Sequence, residues 1–501
     1  MPGRMEFSFD YQSVKGKTPK KQQGGFNIVI LGDFSADGDG QRELKPICMD
    51  LDNFDSVLQS LSPQLNITLP IPFGENIQIT INDLDDFHPD QLYLKLDLFK
   101  PWRELRVRLL DPPRFAAAAS ELQQMLNREI NGALIEPEPA VAVQQADTAA
   151  GEGGLFDQLL QDRPATLSTD KVEISPRKSQ IDSFLQKVIS PHVETGADQD
   201  LPRLLTLLDE EVAKRMRCIL HHGAFQALEA NWRSLYETVT RLELNLDLKL
   251  YVLDLSQNAL AQSLSSDSLQ DCPLYSMLVE QAVQRLDGEP WALLAGLYYF
   301  GDNDVDMAVL QKMAALSEQA GGPFLSAPAT SLLSGLQQGN LHCAQAWQTL
   351  RSQENARHLG LILPRLLLRT PYGQSAEEIE QFRFEELEWD RSGLPQHADY
   401  LWGNGALGAV ILLGQGFSNA AWQFRPEACL DLGDLPFHSY KHDGEAHMKP
   451  CAEVFLTERE GQELLQLGFI PLLSYRNRNG VRLMGYQSLS SSGASIQGQW
   501  G

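Results

Sequence analysis

The stretch FNIVILGDFS, residues 26–35, says more about the fold class than any other part of the chain. Its first six residues form an unbroken apolar run that ends at Gly32 and Asp33. A short apolar run bounded by turn residues is typical of a strand that is buried on both faces of a sheet. We therefore expect a central strand at this position.

Strand-like and helical patterns alternate along the rest of the chain. Ile77, Ile79 and Ile81 alternate with polar residues, as side chains do on a half-buried strand. Further strand-like runs lie at residues 249–253 and 291–300. Helical patterns occur at residues 115–130, 201–242 (interrupted near Gly223), 305–318 and 343–351. The alternation predicts an α/β fold, with a small N-terminal α/β domain linked to a larger α/β domain with long helices.

The residues before the first apolar run carry a second strand signal. Between residues 5 and 11 the side chains alternate strictly, and the apolar face consists of Met5, Phe7, Phe9 and Tyr11. A Lys/Gln/Gly stretch without apolar periodicity follows, so we interpret residues 1–24 as a strand on an arm. Such a strand can pair with another chain, and pairing within its own domain is an equally open alternative.

A change of composition separates the two halves of the chain. Residues 131–154 are rich in Pro, Ala, Glu and Gly without a hydrophobic period, which predicts a linker. The next residues, LFDQLLQD, predict a short amphipathic helix with an apolar stripe formed by Leu155, Phe156, Leu159 and Leu160. Docking of this helix on its own domain is the commoner case, and binding to a partner is the alternative.

These patterns divide the chain into five parts. We expect an N-terminal strand arm (1–24), a small domain (25–130), a linker with a short amphipathic helix (131–180), a large domain (181–490) and a polar tail (491–501).

Composition limits the classes of partner and compartment. The chain has 41 Lys plus Arg against 66 Asp plus Glu, a formal net charge of −25, which argues against binding nucleic acid or anionic membranes. Its six cysteines include no CxxC pair, which favours a reducing compartment. Neither a signal-peptide pattern nor an apolar run near the ~20 residues of a membrane helix occurs. We expect a cytoplasmic protein that does not insert into membranes.

The glycines of LWGNGALGAVILL match the dinucleotide-binding pattern GxGxxG at Gly403, Gly405 and Gly408. A dinucleotide fold also needs a preceding strand and an acidic residue about 20 positions later. The candidate strand here would have only three residues, and Glu427 lies in loop-like sequence. Close helix packing explains these small residues equally well, so we expect no cofactor.

The segment HSYKHDGEAHMKPC contains four side chains that can bind zinc, namely His438, His442, His447 and Cys451. Imidazole and thiolate are the usual zinc ligands, but their spacing here matches no established zinc pattern. We expect no metal ion, and binding of zinc by this segment stays an open alternative.

No other motif defines a reaction. The sequences GxxxxGK[ST], GxSxG and HExxH are absent. Paired carboxylates such as Glu385 and Glu386 come without a base or nucleophile, and adjacent His221 and His222 cannot both face one site on a helix. We therefore expect no catalytic residues and favour a structural or interaction role over an enzyme.

Two successive series of motifs resemble the sheath subunits of the bacterial type VI secretion system. Within residues 26–112, FNIVILGDFS, KPICMDLDNFDSVLQSLSPQL, INDLDDFHPDQLY and LRVRLLDP resemble the small subunit, TssB or VipA. Within residues 219–473, six further segments resemble the large subunit, TssC or VipB. These segments are ILHHGAFQALEANWRSLY, LDGEPWALLAGLYYF, LGLILPRLLLRTPYG, FRFEELEW, YLWGNGALGAVIL and EVFLTEREGQELLQLGFIPLL. The chain looks like both subunits joined.

The resemblance implies a contractile sheath or sheath-associated protein that acts by protein–protein assembly. It implies that the arm adds a strand to a neighbouring subunit, and that the helix at residues 155–161 lies where the recycling ATPase ClpV binds. Expected partners are sheath or baseplate proteins, or further copies of this chain. The alternative is a non-polymerising regulatory or adaptor module that binds sheath or baseplate edges.

Large sheath subunits normally continue beyond the GFIPL segment into a further domain. Here the sequence ends in SLSSSGASIQGQWG, and we expect the carboxyl-terminal strands of the usual sheath mesh to be missing.

Overall fold

The computed structural model describes residues 24–36, 44–132, 197–285, 288–331, 345–373, 377, 379–389, 393–442, 444–476 and 478–500. The chain forms two compact units. The first unit contains residues 1–103 and 209–501, and the second unit contains residues 104–208.

The first unit is built on a nine-stranded sheet. Its six central strands are parallel, in the order β5 (Leu248–Asp254), β1 (Phe26–Gly32), β6 (Trp291–Phe300), β7 (Phe324–Pro328), β8 (Leu359–Leu363) and β14 (Ile470–Ser474). Antiparallel strands form both edges, with β2 (Ile47–Met49) beside β5, and β15 (Gly480–Leu483) then β11 (Asp431–Gly433) beyond β14. The predicted α/β fold class is confirmed.

Strand β1 is the predicted central strand, and all seven of its residues are buried. Parallel strands lie on both sides of it: Ile28 is opposite Leu250 on β5 and Leu293 on β6. Both neighbours come from positions more than 200 residues later in the chain. The sheet therefore combines the small-domain and large-domain parts of the sequence.

Three two-stranded sheets complete the β-structure of the described residues. They pair β3 (Gln64–Thr68) with β4 (Asn76–Thr80), β9 (Leu366–Leu367) with β10 (Trp402–Gly403), and β12 (His438–His442) with β13 (Glu445–Lys449). All three pairs are antiparallel.

The helices of the first unit are α1 (Phe54–Leu61), α2 (Pro89–Lys95), α6 (Gly223–Arg241), α7 (Gln257–Ser263), α8 (Pro273–Tyr275), α9 (Asp304–Ala320), α10 (Gln345–Arg351), α11 (Ala406–Ala420) and α12 (Glu458–Gln466). Helices α3 (Lys100–Leu109) and α5 (Ala197–Leu220) contain residues of both units. None of the described helices is both long and apolar enough to cross a membrane.

Capping residues explain where the helices begin and end. The Asn303 side chain accepts a hydrogen bond from the Asp306 backbone N–H at the start of α9, and Gly321 ends that helix with φ +97°. Thr457 and Glu460 form a capping box at the start of α12. The predicted interruption near Gly223 is confirmed, because α5 ends at Leu220 and α6 begins at Gly223.

The second unit contains α4 (Phe115–Gly132). Within it, the Arg108 guanidinium donates two hydrogen bonds to the Glu121 carboxylate, over 2.6 and 3.0 Å. This ion pair is partly exposed, so its contribution to stability is small.

The residues predicted as a polar tail make specific contacts in their described part. Ile496 is 3% exposed, and the Gln497 backbone N–H donates to the Arg357 carbonyl over 2.9 Å. The Trp500 ring stacks on Phe26 at the start of β1, with 5.8 Å between ring centroids. Residues 478–500 thus pack on the same unit as β1, and the domain boundaries proposed from the sequence stay predictions.

The burial of β1 predicts that shortening one of its side chains destabilises the first unit. Ile30 is 1% exposed, and Ile30→Ala is expected to lower the free energy of unfolding by about 2–5 kcal/mol, because a cavity replaces buried methyl groups. Urea unfolding measures this loss, with the exposed α1 residue Gln59→Ala as control. A loss below about 1 kcal/mol for Ile30→Ala would contradict the central position of β1.

Candidate functional site

The side chains predicted as protein-interface residues lie outside the described residues. These are Met5, Phe7, Phe9 and Tyr11 on the arm, and Leu155, Phe156, Leu159 and Leu160 in the linker region. Their positions therefore stay predictions. The described part of the chain contains a different candidate site, the contact between residues 24–103 and residues 209–500 of the first unit, which we call the shared-sheet interface.

An aromatic cluster forms the amino end of the shared-sheet interface. Phe26 is surrounded by rings whose centroids lie between 4.9 and 5.9 Å from its own, those of Phe417, Trp422, Phe424 and Trp500. The Trp422 indole N–H also donates to the Gly24 carbonyl over 2.8 Å. Because aromatic side chains bury large areas, this cluster holds the start of β1 in place.

Backbone groups are bound at the carboxyl end of β1. The Asp254 carboxylate accepts hydrogen bonds from the Phe34 and Ser35 backbone N–H groups over 2.8 and 3.1 Å. From α6, the Trp232 indole N–H donates to the Phe34 carbonyl over 2.9 Å, and Asn231 donates to the Asp33 carbonyl over the same distance. These bonds require the backbone geometry of the GDFS turn rather than its side chains.

Contacts away from the sheet extend the same interface. Asp90 accepts hydrogen bonds from the Glu380 and Gln381 backbone N–H groups, each over 3.1 Å. The Arg215 guanidinium lies between two rings, 4.5 Å from the Phe73 centroid and 4.6 Å from that of Trp102. Both parts of the sequence therefore contribute polar as well as apolar contacts.

A buried charge cluster lies beside this interface and consists of Glu229, Arg233, Arg369, Tyr372 and Glu386. Arg369 donates to Glu386 over 2.7 and 2.9 Å and to Glu229 over 2.8 Å. Arg233 donates to Glu229 over 2.7 Å and to the Tyr372 hydroxyl over 3.0 Å. Two guanidinium groups thus balance two carboxylates, as burial of charge requires.

The cluster changes the proton affinities of its members. Burial alone would raise the pKa of Glu229, but the charges of Arg369 and Arg233 outweigh it and leave that pKa below its ordinary value. Burial raises the pKa of Tyr372 well above that of an exposed tyrosine. Both carboxylates are nearly inaccessible, with Glu229 0% and Glu386 1% exposed, so the cluster holds chain segments together and offers no open reaction site.

His221 lies next to the charge cluster, within 3.3 Å of Asp399 and 3.8 Å of Glu386. Burial lowers the pKa of His221, which favours the neutral ring. The adjacent His222 has another role, because its Nδ1 accepts a hydrogen bond from the Ala224 backbone N–H at the start of α6. The two histidines have separate partners, but the prediction that both lie on a helix is wrong, because α5 ends at Leu220 and α6 begins at Gly223.

The glycines of the GxGxxG match permit close packing. A Cβ atom on Gly405 would lie 2.8 Å from the Pro364 carbonyl oxygen, and one on Gly403 would lie 2.7 Å from the Leu368 side chain. The preceding strand β10 has two residues and pairs antiparallel with β9, unlike the parallel strand before a dinucleotide-binding turn. These contacts favour the packing interpretation of the motif.

The four candidate zinc ligands lie on or next to the β12–β13 hairpin, and each faces different neighbours. His438 Nδ1 lies 2.8 Å from the Tyr400 hydroxyl, and the Cys451 thiol donates to the Leu435 carbonyl over 3.9 Å. Burial raises the pKa of Cys451 to about 11. The His442 and His447 rings lie 5.7 Å apart. Within the described ranges, no group of three or more His, Cys, Asp or Glu side chains is arranged to hold a metal ion.

A partly buried ion pair joins the segments on both sides of this hairpin. Arg365 donates two hydrogen bonds to Glu453, over 2.6 and 2.8 Å, and His397 Nε2 lies 3.1 Å from the same carboxylate. Burial alone would raise the pKa of Glu453, but the hydrogen bonds from Arg365 and His397 outweigh it and lower that pKa to about 2.

Comparison with known proteins identifies the family. Residues 202–490, more than half of the chain, match the family described as EvpB/VC_A0108, tail sheath N-terminal domain. The chain belongs to this tail sheath family. Residues 4–135 match the family described as type VI secretion system, VipA, VC_A0107 or Hcp2. Both resemblances inferred from the motifs are confirmed.

One relative is the type VI secretion system sheath protein TssC1 of Pseudomonas aeruginosa, which is 29% identical over 316 residues. The matching region covers 59% of this chain and 63% of the relative. The chain thus spans less than two thirds of that relative's length.

The two family matches cover opposite sides of the shared-sheet interface. Strands β1 and β2 lie in the VipA-matching region, whereas the other seven strands of the sheet lie in the tail sheath region. The interface is therefore the contact between the VipA-matching region and the tail sheath region.

The buried charge cluster predicts a large effect when one charge is removed. Arg369→Ala is expected to lower the free energy of unfolding by about 3–5 kcal/mol, because Glu229 and Glu386 would lose their bridging cation. Urea unfolding tests this, with the exposed ion-pair residue Arg459→Ala as control, expected to change stability by less than about 0.5 kcal/mol. Equal effects of the two variants would show that the cluster does not stabilise the fold.

The low pKa of Glu453 predicts a stability contribution that depends on pH. An unfolded glutamate takes up its proton near pH 4.5, well above the folded value of about 2, so the contribution is complete above pH 4.5 and decreases as pH falls toward 2. The stability difference between wild type and Glu453→Gln should therefore be smaller at pH 3.5 than at pH 5.

Thermal unfolding at these two pH values measures that difference, and Glu463→Gln on the exposed side of α12 is the matched control. A difference that stays constant down to pH 3.5 would contradict the low pKa of Glu453.

Proposed function

We propose that this chain is a non-enzymatic structural component of a type VI secretion sheath, in which one polypeptide supplies the parts of both sheath subunits. The observation that carries the proposal is the position of β1. A strand of the VipA-matching region lies between two strands of the tail sheath region, so the two regions form one folded unit.

Joining the two regions covalently changes how they associate. In separate chains, β1 would have to enter the sheet in a bimolecular step. In one chain this step is intramolecular, at an effective concentration on the order of millimolar, and the two regions are present in equal amounts. The proposed role is therefore that of a pre-paired building block, acting in the cytoplasm.

Assembly is proposed to use the N-terminal arm. The arm leads into Gly24, whose carbonyl is bound by Trp422 beside the aromatic cluster around Phe26. A strand formed by the alternating residues 5–11, which precede this anchored point in the sequence, can add to a sheet edge of a neighbouring subunit. Proposed partners are sheath or baseplate proteins or further copies of this chain, with the helix formed by Leu155, Phe156, Leu159 and Leu160 as a contact for a ClpV-type ATPase.

A regulatory or adaptor role is the second candidate. The described segment after β15 packs on β1, with Trp500 against Phe26. A subunit of this kind would bind a sheath edge through its arm and limit further addition.

The alternation of apolar and polar residues on the arm predicts that charges on its two faces have different effects on assembly. Phe7→Asp with Phe9→Asp places charges on the apolar face and should abolish assembly, whereas Ser8→Asp on the polar face should leave assembly within about twofold of wild type. Negative-stain electron microscopy and sedimentation of each full chain measure this, alone and mixed with separately encoded sheath subunits from the same source.

The outcomes separate the two candidate functions. Rings or tubes of the chain alone that are lost only in the Phe7/Phe9 variant would support the structural role. Dispersed particles that shorten sheaths would support the regulatory role. Particles that neither assemble nor bind sheath would contradict both.

A further inference from the structure

The β3–β4 hairpin presents an outer face without charge. Both strands alternate buried and exposed residues, and the buried side chains are Leu65, Ile67, Ile77 and Ile79. The exposed side chains pair across the strands as Gln64 with Thr80, Asn66 with Gln78, and Thr68 with Asn76. In a chain with 21% charged residues and a net charge of −25, this face consists only of amides and hydroxyls.

The register shows that β4 has an open edge. The Leu69 N–H donates to the Glu75 carbonyl, and the Ile81 N–H donates to the Pro63 carbonyl, so both of these residue pairs are hydrogen-bonded. Hydrogen-bonded and non-hydrogen-bonded pairs alternate along an antiparallel hairpin, and Asn76, Gln78 and Thr80 belong to the non-hydrogen-bonded pairs. The backbone groups of Asn76, Gln78 and Thr80 consequently point away from β3. Among the residues that the structure describes, no backbone hydrogen bond reaches these three from the open side.

The two edge strands of the nine-stranded sheet, β2 and β11, carry features that oppose pairing. Strand β2 has three residues and directly follows Pro46, and β11 has three residues and carries Asp431, which pairs with Arg478 and Arg482. On β3, which directly follows Pro63, the N–H of Gln64 donates to the Ser35 carbonyl over 3.2 Å, so two outward residues, Asn66 and Thr68, remain there against three on β4. Strand β4, with five residues in regular register, has no charge, proline or bulge.

We propose that the open edge of β4 pairs with the β4 edge of a second copy of this chain. A two-fold axis at Gln78 places Gln78 opposite its counterpart, Asn76 opposite Thr80, and Glu75 opposite Ile81. Antiparallel pairing in this register forms about six backbone hydrogen bonds and extends the hairpin to a four-stranded sheet.

The absence of charge on β4 makes this edge a place where two copies can meet with little local repulsion. Two molecules that each carry a net charge of −25 repel one another over most of their surfaces. The two-fold register brings no like charges into opposition on the paired strands, and the amide side chains of Gln78 can donate and accept across the axis. The contact is small, so we expect a dissociation constant on the order of 10–100 µM.

Sedimentation velocity of the full chain at concentrations up to about 300 µM tests this pairing. Gln78→Lys places two like charges opposite one another and should weaken the dimer at least tenfold. Asn66→Lys adds the same charge to the same face but on β3, away from the open edge, and should change the dissociation constant less than threefold. Thermal unfolding confirms that both variants are folded.

A mixture of two variants gives the decisive result. Gln78→Lys and Gln78→Glu should each fail to dimerise alone but form a mixed dimer when combined, because opposite charges then meet at the axis. The Phe7→Asp and Phe9→Asp chain should dimerise like wild type, which separates this inference from the proposed function. A monomer at every concentration, a dimer insensitive to Gln78→Lys, or a mixture that stays monomeric would overturn the proposal.

Discussion

The insertion of β1 between β5 and β6 is the constraint on which the rest of the first unit depends. Parallel strands cannot be joined by tight turns, and β1 obtains both of its neighbours from residues more than 200 positions later. The sheet is therefore incomplete until the two family regions meet. Aromatic rings at the amino end of β1 and the Asp254 carboxylate at its carboxyl end then hold the strand along its whole length.

Beside this interface, buried charge fixes the packing of segments within the tail sheath region. Apolar contacts tolerate several arrangements, whereas Arg369 satisfies Glu229 and Glu386 only in one geometry. Desolvation offsets much of the attraction in such a cluster, so its net contribution to stability is smaller than its hydrogen bonds suggest. Its structural consequence is that α6 and the segment between Arg369 and Glu386 have a single relative position.

Two sequence motifs of this chain resemble a cofactor site and a metal site, but their residues serve packing in the structure. The glycines at 403 and 405 satisfy a cofactor pattern, yet neighbouring atoms would be within 3 Å of a Cβ at either position. The histidines at 438, 442 and 447 are close in sequence but lie on a two-stranded sheet, where His438 contacts Tyr400, His447 contacts Tyr440, and His442 contacts His447. Residue type and spacing are therefore insufficient here, because ligand geometry depends on the direction of each side chain.

The sequence by itself determined the α/β class, the burial of β1, the break between α5 and α6 and the membership of the sheath family. These features follow from local periodicity, capping residues and consecutive motifs. Only the tertiary structure decided the strand order, the pairing of Arg369 with Glu229 and Glu386, and the packing of Trp500 on Phe26. The physical reason is that periodicity reports how one element is buried, whereas its partners are chosen by packing among elements distant in the chain. The interface residues predicted on the arm and in the linker region belong to neither group, because they lie outside the described residues.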